Sequence, residues 1–149
     1  MNILFFANTD WYLYNFRLSL AQRLQEQGHP VVLVSPKGAY SSRLQKMGFS
    51  WIDFNLNRRG LNPILKGITI LRLARLYWRE RPDMVHHFTI KCVLYGSLVS
   101  HLLGIKPVVN SVTGLGVGRE GFCQALFVRF AQDALDTLER LYQQLQAAG

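Results

Sequence analysis

The stretch Arg81-Pro-Asp-Met-Val-His-His-Phe-Thr-Ile-Lys-Cys-Val-Leu-Tyr-Gly-Ser97 joins a short apolar run, two histidines and a helical pattern. Pro82 predicts the end of a preceding helix, and Met84 and Val85 predict a buried strand. Thr89 is well placed to cap the helix that follows. The apolar residues of that helix are Val93, Leu94, Leu98 and Leu102. We interpret the stretch as the fourth strand of an open α/β sheet and the turn that leaves it.

The rest of the chain predicts the other strands of this sheet. The run Asn2 to Ala7 is apolar on both faces, as in a strand buried beneath two helical layers. A helix ending at Gly28 leads to a strand at Val31 to Ser35, and a helix ending at Gly48 leads to the next strand. Further strands are predicted at Phe49 to Phe54 and at Val108 to Ser111. Successive helix–glycine–strand units favour right-handed crossovers and a doubly wound parallel sheet, Rossmann-like, in the order 3-2-1-4-5.

In such a sheet, a crevice opens between the carboxyl ends of strands one and four. His86, His87, Thr89 and Lys91 are predicted to lie there. The loop after strand one contains no glycine, so the dinucleotide-binding fingerprint is absent. Asn15 is a candidate cap for the first helix, which places Arg17 in its first turn against the helix dipole. A nearby anionic ligand or carboxylate would explain this placement, and a solvated arginine is the alternative.

Composition limits the number of domains and the class of protein. The 149 residues, 49% of them hydrophobic, suffice for one packed domain. Lys and Arg number 17 against 9 Asp and Glu, and the net charge of +8 favours anionic partners without naming one. Cys92 and Cys123 lack metal-binding or redox spacing, so we expect buried thiols and no metal. With no basic leader before the first apolar run, we expect a cytoplasmic protein.

Two helical segments have amphipathic patterns. The first, Pro63 to Arg81, places Arg72, Arg75 and Arg79 in one stripe. This stripe is either a solvated face or a surface that rests on anionic lipid headgroups. The second, Phe122 to Gln146, has a wide apolar face that must pack on something.

Several motifs together resemble the N-terminal half of family-4 glycosyltransferases of the GT-B fold, especially bacterial enzymes of capsule, O-antigen or exopolysaccharide assembly. The motifs are Met1-Asn-Ile-Leu-Phe-Phe-Ala7, Asn15-Phe-Arg-Leu-Ser-Leu-Ala21, Arg58-Arg-Gly-Leu-Asn-Pro63, the stretch from Arg81 to Lys91 with Tyr95-Gly-Ser97, and Asn110-Ser-Val-Thr-Gly-Leu-Gly116. The resemblance covers residues 1 to about 118.

The resemblance implies a retaining transferase whose N-terminal Rossmann-like domain, residues 1–118, receives a glycan or lipid-linked acceptor. The nucleotide sugar would bind a second, C-terminal domain, whose paired glutamates eight positions apart are missing here. Residues 119–149 resemble a linker and the closing helix of full-length members, as in an internally shortened chain. We therefore expect a domain that is inactive alone, needs no cofactor, and is a monomer or a helix-swapped dimer.

The resemblance also implies site residues. Many relatives carry His-x-His after strand four, and the second position, here Phe88, lies near the reacting sugar; His87 is the nearest substitute, and Asp10 is one possible base. A structural role is the plainer interpretation of both histidines. The acceptor-binding candidates are Asn8, Thr9, Asn15, Arg17, Thr89, Lys91, Thr113, Gly114 and Gly116.

Two other functions stay open. The chain could be a subunit or binding module of a split glycosyltransferase that pairs with a separate donor-binding chain. It could also be a basic nucleic-acid-binding α/β domain, which rests on the charge alone because no base-reading motif is present. We therefore expect no nucleic-acid partner.

Overall fold

A computed structural model of the chain describes residues 1–56 and 63–112. These residues form a five-stranded parallel sheet in the order β3-β2-β1-β4-β5, which confirms the predicted fold class and strand order. The strands are β1 (Ile3–Phe6), β2 (Val31–Ser35), β3 (Ser50–Asp53), β4 (Met84–Phe88) and β5 (Val108–Ser111). Strand β4 is longer than its two predicted apolar residues, because it continues through both histidines to Phe88.

The described helices lie in two layers, one on each face of the sheet. They are α1 (Asp10–Tyr12), a π-helical turn (Leu13–Arg17), α2 (Leu18–Glu26), α3 (Ser41–Lys46), α4 (Pro63–Glu80) and α5 (Ile90–Leu103). Side chains alternate along β1, as they must in any strand. Ile3 and Phe5 pack with Leu24 and Leu44 of α2 and α3. Leu4 and Phe6 pack on the other face, with α4 and α5.

The first helical segment begins six residues earlier than predicted. Thr9 is its N-cap, and the Thr9 hydroxyl accepts a hydrogen bond from the Tyr12 amide at 3.2 Å. Asn15 is therefore not a cap: it lies inside the π-helical turn and donates to the Trp11 carbonyl at 2.9 Å. Arg17 ends that turn and is also the N-cap residue of α2, without a side-chain capping bond, so this cation still lies at the start of a helix.

The predicted helix after β4 is present, but its leucines face outward. Leu94, Leu98 and Leu102 are 56%, 45% and 66% exposed. The side of α5 that faces the sheet carries small residues instead, including Gly96 and Val99. Small side chains let α5 approach β4 closely, and the leucine stripe is left on the opposite side. Of the predicted apolar residues, Val93 is buried, and the leucines repeat with the helical period on the outer side of α5.

The last predicted helix, from Phe122 to Gln146, lies outside the described residues. The same is true of residues 119–149 as a whole and of Cys123. Cys92 is a buried free thiol, as expected, and burial raises its pKa to about 12, so it stays protonated.

Candidate functional site

The crevice between β1 and β4 is built by the residues that follow these strands. The two strands pair in parallel with Phe6 opposite His87, so both chains leave the sheet at the same edge. Asn8 and Thr9 follow β1, and Thr89 and Lys91 follow β4. Strand order reverses at this position, where open α/β sheets bind their ligands.

Arg17 lies over an aromatic floor at this edge. Its guanidinium carbon is 4.7 Å from the centre of the Phe88 ring and 5.5 Å from that of Tyr12. Its Nη2 donates to the Tyr12 hydroxyl at 2.9 Å, while its Nε is buried without a hydrogen-bond partner in the described part of the chain. Phe88 itself is fully buried. A helical segment and a strand thus hold one cation in a fixed orientation, stacked on aromatic rings.

His86 lies beside this cation in its neutral form. Burial, the nearby Arg17 guanidinium and His87 together lower its pKa from 6.5 to about 3. Its Nε2 is 2.7 Å from the Ser111 hydroxyl of β5, and its ring packs on Phe88 at 4.0 Å between centroids. Because His86 is uncharged at neutral pH, Arg17 supplies the positive charge of this cluster.

His87 does not reach the crevice, because its side chain is fully buried on the opposite face of the strand. Its Nδ1 donates to the Asn110 amide oxygen and its Nε2 accepts from the Tyr77 hydroxyl, each at 2.8 Å. Burial lowers the pKa of His87 to about 4, although the hydrogen bond to Asn110 opposes this shift, and burial raises the pKa of Tyr77 well above its usual range. Both ring nitrogens thus have protein partners, and these contacts give His87 a structural role.

Asp10, the predicted base, also has structural partners. Its side chain is 5% exposed, and one carboxylate oxygen accepts from the amides of Tyr40 and Ser41, each at 2.8 Å. The other oxygen accepts from the Trp11 amide at 2.8 Å. Asp10 therefore ties the loop after β1 to the start of α3. The catalytic roles of His87 and Asp10 stay predictions.

The other predicted acceptor contacts are divided between the crevice edge and its surroundings. Asn8, Thr9, Arg17, Thr89 and Lys91 lie at the carboxyl edge of β1 and β4, whereas Asn15 is exposed on the π-helical turn. Thr89 occupies the predicted N-cap position of α5, but its side chain makes no capping bond and its φ is +75°. Such a φ is strained for a β-branched residue. Thr113, Gly114 and Gly116 lie outside the described residues.

Sequence reasoning missed the parts of this edge that come from distant segments. Nothing in the sequence indicated that the Tyr12 and Phe88 rings stack under Arg17. Nor did the sequence indicate the hydrogen-bond partners of His87, which lie ten and 23 residues away along the chain. The strand register of the predicted sheet could have identified one of these partners, because His87 of β4 lies directly opposite Asn110 of β5.

The predicted arginine stripe lies on the exposed side of α4. Arg72, Arg75 and Arg79 are exposed, and Leu73 and Tyr77 on the other side are buried. The exposed side also carries large apolar residues that were not assigned to it. They are Ile64, Ile68, Leu71 and Trp78, which are 70%, 47%, 70% and 67% exposed.

Other candidate sites are weaker. A depression of about 690 Å³ lies at the opposite, amino edge of the sheet, between the carboxyl ends of α4 and α5. Within residues 1–56 and 63–112, no group of three or more His, Cys, Asp or Glu side chains could hold a metal ion. None of the helices in those two ranges is long and apolar enough to cross a membrane.

A family model and a curated protein both match this chain. The model of the family described as "Glycosyl transferase 4-like" matches residues 2–144. A curated relative from Campylobacter jejuni, N,N'-diacetylbacillosaminyl-diphospho-undecaprenol alpha-1,3-N-acetylgalactosaminyltransferase, is 26% identical over 137 residues. That alignment covers 91% of this chain and 36% of the relative, so the chain spans about a third of the relative's length.

Two solved structures have the same fold. MurG of Acinetobacter baumannii superposes with a TM-score of 0.65 at 22% identity, covering 87% of this chain and 38% of that one. A glycosyltransferase of Rickettsia africae superposes with a TM-score of 0.64 at 15% identity, covering 83% of this chain and 32% of its own. These likenesses show the fold, and this chain covers less than two fifths of each of the two longer chains.

Proposed function

The chain belongs to the glycosyltransferase 4-like family, and we propose that it is the acceptor-binding domain of a retaining transferase that acts on a lipid-linked sugar. The observation that carries the proposal is the cluster of Tyr12, Arg17 and Phe88 at the carboxyl edge of β1 and β4. The name of the Campylobacter jejuni relative supports the substrate class, because it specifies a diphospho-undecaprenol acceptor. Such an acceptor combines an anionic diphosphate with apolar and sugar parts.

The chemistry that these residues supply is binding and orientation. A glycosyl transfer requires that an acceptor hydroxyl be aligned with the anomeric carbon of the donor, and alignment alone can supply several kcal/mol of the rate enhancement. In this proposal, Asn8, Thr9 and Lys91 contact the sugar part, and Arg17 contacts the anionic part. The roles of His87 and Asp10 in this scheme are positional: each holds neighbouring elements of the edge in place through the hydrogen bonds described above.

We propose further that the 149-residue chain does not transfer sugar by itself, since it spans only about a third of its curated relative. Calorimetric titration tests the division of labour. A short-chain prenyl-diphospho-N-acetylhexosamine should bind this chain, whereas UDP-N-acetylhexosamine should bind with a dissociation constant of roughly 1 mM or weaker. Micromolar binding of the nucleotide sugar, with no binding of the lipid-linked sugar, would refute the assignment to the acceptor side.

We propose that the exposed side of α4 places the domain at the cytoplasmic face of an anionic membrane. This surface alternates cations and large apolar side chains, which is the pattern of an interfacial helix. Arg72 and Arg75 have no ion pair within the described ranges, and Arg79 pairs with Glu80 at 2.8 Å. Each cation near an anionic bilayer is worth about 1 kcal/mol, and Leu71 and Trp78 can enter the headgroup region.

Liposome sedimentation tests this surface. Replacing Arg72, Arg75 and Arg79 together by glutamine should release the protein from anionic vesicles. A matched control replaces Arg23, Arg43 and Lys46 by glutamine, which removes three charges from exposed positions of α2 and α3 on the other side of the sheet. Binding should weaken as salt shortens the Debye length to about 8 Å at 0.15 M. Equal loss in the two triple variants would show that net charge, and not this surface, drives binding.

We also propose that residues 119–149 cover the outward leucine stripe of α5. Within the described part of the chain, each residue of this stripe is at least 39% exposed. The stripe consists of Ile90, Leu94, Leu98 and Leu102. Strand β5 ends beside β4, and a right-handed crossover from it would return on the face that carries α5. The sequence from Phe122 to Gln146 has an apolar face, which matches this stripe in chemical character.

A further inference from the structure

We propose that Arg17 is the diphosphate-binding residue of the crevice and that Trp11 and Phe16 contact the adjoining apolar part of the same ligand. This inference rests on the proposed function and names the chemical group that the site binds. The ligand class is a diphosphate ester, in which the shared chemistry could belong to a prenyl-linked acceptor or to a nucleotide. The arrangement favours the prenyl-linked form.

The first support is the unbalanced charge of Arg17. No carboxylate of residues 1–56 or 63–112 forms an ion pair with it. Asp10 is the acidic residue nearest to Arg17 in sequence, and both of its carboxylate oxygens accept hydrogen bonds from backbone amides. The guanidinium has five N–H donors, of which one reaches Tyr12, and the buried Nε lacks a partner. A buried donor without a partner is unfavourable, so an anion that accepted a hydrogen bond from it would stabilise the site.

The second support is the fixed plane of the guanidinium. Stacking on Phe88 and Tyr12 restrains the side chain before a ligand arrives. A planar fork held in one orientation suits the paired oxygens of a phosphate, which Arg binds through two parallel hydrogen bonds. Because the rings beneath Arg17 are aromatic and His86 is neutral, Arg17 is the charged group of this cluster that an anion would contact.

The third support is an exposed aromatic pair next to the cation. Trp11 and Phe16 are 48% and 55% exposed and touch edge to face, with ring centroids 5.4 Å apart. Phe16 also packs on Tyr12 at 5.3 Å, which connects the exposed pair to the support of Arg17. Exposed aromatic rings beside a cation fit a ligand with an apolar group next to its phosphates. A prenyl diphosphate has this form, whereas a free phosphate does not.

The experiment compares two arginines of similar surroundings. Arg43 on α3 also lies over two aromatic rings, Tyr40 at 5.2 Å and Tyr14 at 6.0 Å, but it is exposed and outside the crevice. The full chain and its Arg17→Gln and Arg43→Gln variants are titrated calorimetrically with farnesyl diphosphate, with farnesol and with UDP. Thermal melting of each variant confirms that it is folded.

We expect farnesyl diphosphate to bind the parent chain and the Arg43→Gln variant within a factor of two of each other. Arg17→Gln should weaken binding at least tenfold, which corresponds to about 1.4 kcal/mol. Arg17→Lys should fall between the two, because it keeps the charge but loses the fork. Farnesol should bind weakly to all variants alike, since it lacks the diphosphate.

Three results would overturn the inference. Equal binding of farnesyl diphosphate to the parent and Arg17→Gln would remove Arg17 from the site. A loss of heat stability in Arg17→Gln without a change in binding would show that Arg17 has a structural role, through its contacts with Tyr12 and Phe88. UDP binding as tightly as farnesyl diphosphate, with the same dependence on Arg17, would assign the residue to the nucleotide. If the lipid-linked sugar still binds the parent chain, the proposed function survives the first two of these outcomes.

Discussion

Gly96 provides the sharpest test of the buried network around His87. It lies inside α5 and faces β4, and an added Cβ would overlap the His87 imidazole, with Cε1 only 2.7 Å away and two other ring atoms closer. The imidazole cannot move aside without cost, because Tyr77 and Asn110 hold both of its nitrogens. We therefore expect Gly96→Ala to destabilise the fold, although alanine is the better helix former.

The magnitude follows from three effects. Alanine in place of glycine inside a helix stabilises by about 0.5–1 kcal/mol. Forcing an extra methyl into a packed interior costs about 1–3 kcal/mol. Displacing the imidazole would also leave the Tyr77 hydroxyl or the Asn110 amide unsatisfied, which costs about 1–3 kcal/mol for each group. The net expectation is a loss of about 2–4 kcal/mol in the free energy of unfolding.

Gly67 is the matched control. It lies inside α4, and an added Cβ there meets nothing within 4 Å. Gly67→Ala should therefore stabilise the protein by about 0.5–1 kcal/mol. Urea unfolding of both variants, followed by circular dichroism, measures the difference directly. If Gly96→Ala proves as stable as Gly67→Ala, then the imidazole is not locked against α5 and the reasoning about His87 is wrong.

Two further predictions concern acid and the leucine stripe. Burial keeps His86 and His87 neutral, with pKa values of about 3 and about 4 against 6.5 when unfolded, so the unfolded state binds the additional protons as pH falls below about 6.5. The free energy of unfolding should therefore be unaffected by these histidines above pH 6.5 and should fall by about 2 kcal/mol per histidine by pH 5. Urea unfolding at pH 7.5 and pH 5 would measure this fall, and unchanged stability would contradict the burial of the two side chains. Replacing Leu94 and Leu98 by lysine should cost about 1.5–3 kcal/mol each in thermal unfolding if residues 119–149 cover them, whereas effects within about 0.5 kcal/mol would show that the stripe is uncovered.

The strands and their order could be predicted because each signal is local. Apolar runs, glycines at Gly28 and Gly48 and the handedness of crossovers suffice to order the sheet. The start of the first helix was predicted wrongly because two adjacent segments carry capping residues. Thr9 is the true cap, and the π-helical turn lets the helical path continue past Asn15.

The site was less predictable because its contacts join distant elements. The sequence shows two histidines at the end of a strand, but alternation sends His86 and His87 to opposite faces, and their partners come from α4 and β5. The orientation of α5 was missed for a similar reason. Its leucines repeat every four residues, yet close contact with β4 requires the small side chains that lie on its other side.

Photoaffinity labelling tests the central claim most directly, because it reports where an acceptor binds. A prenyl-diphospho-N-acetylhexosamine with a photoreactive group in the first prenyl unit is irradiated with the 149-residue chain, and the labelled peptides are sequenced by mass spectrometry. We predict labels in residues 8–17 and 86–91, which are blocked by unlabelled acceptor and not by UDP-N-acetylhexosamine. Labelling confined to other segments, or equal protection by the nucleotide sugar, would contradict the assignment of this crevice to the acceptor.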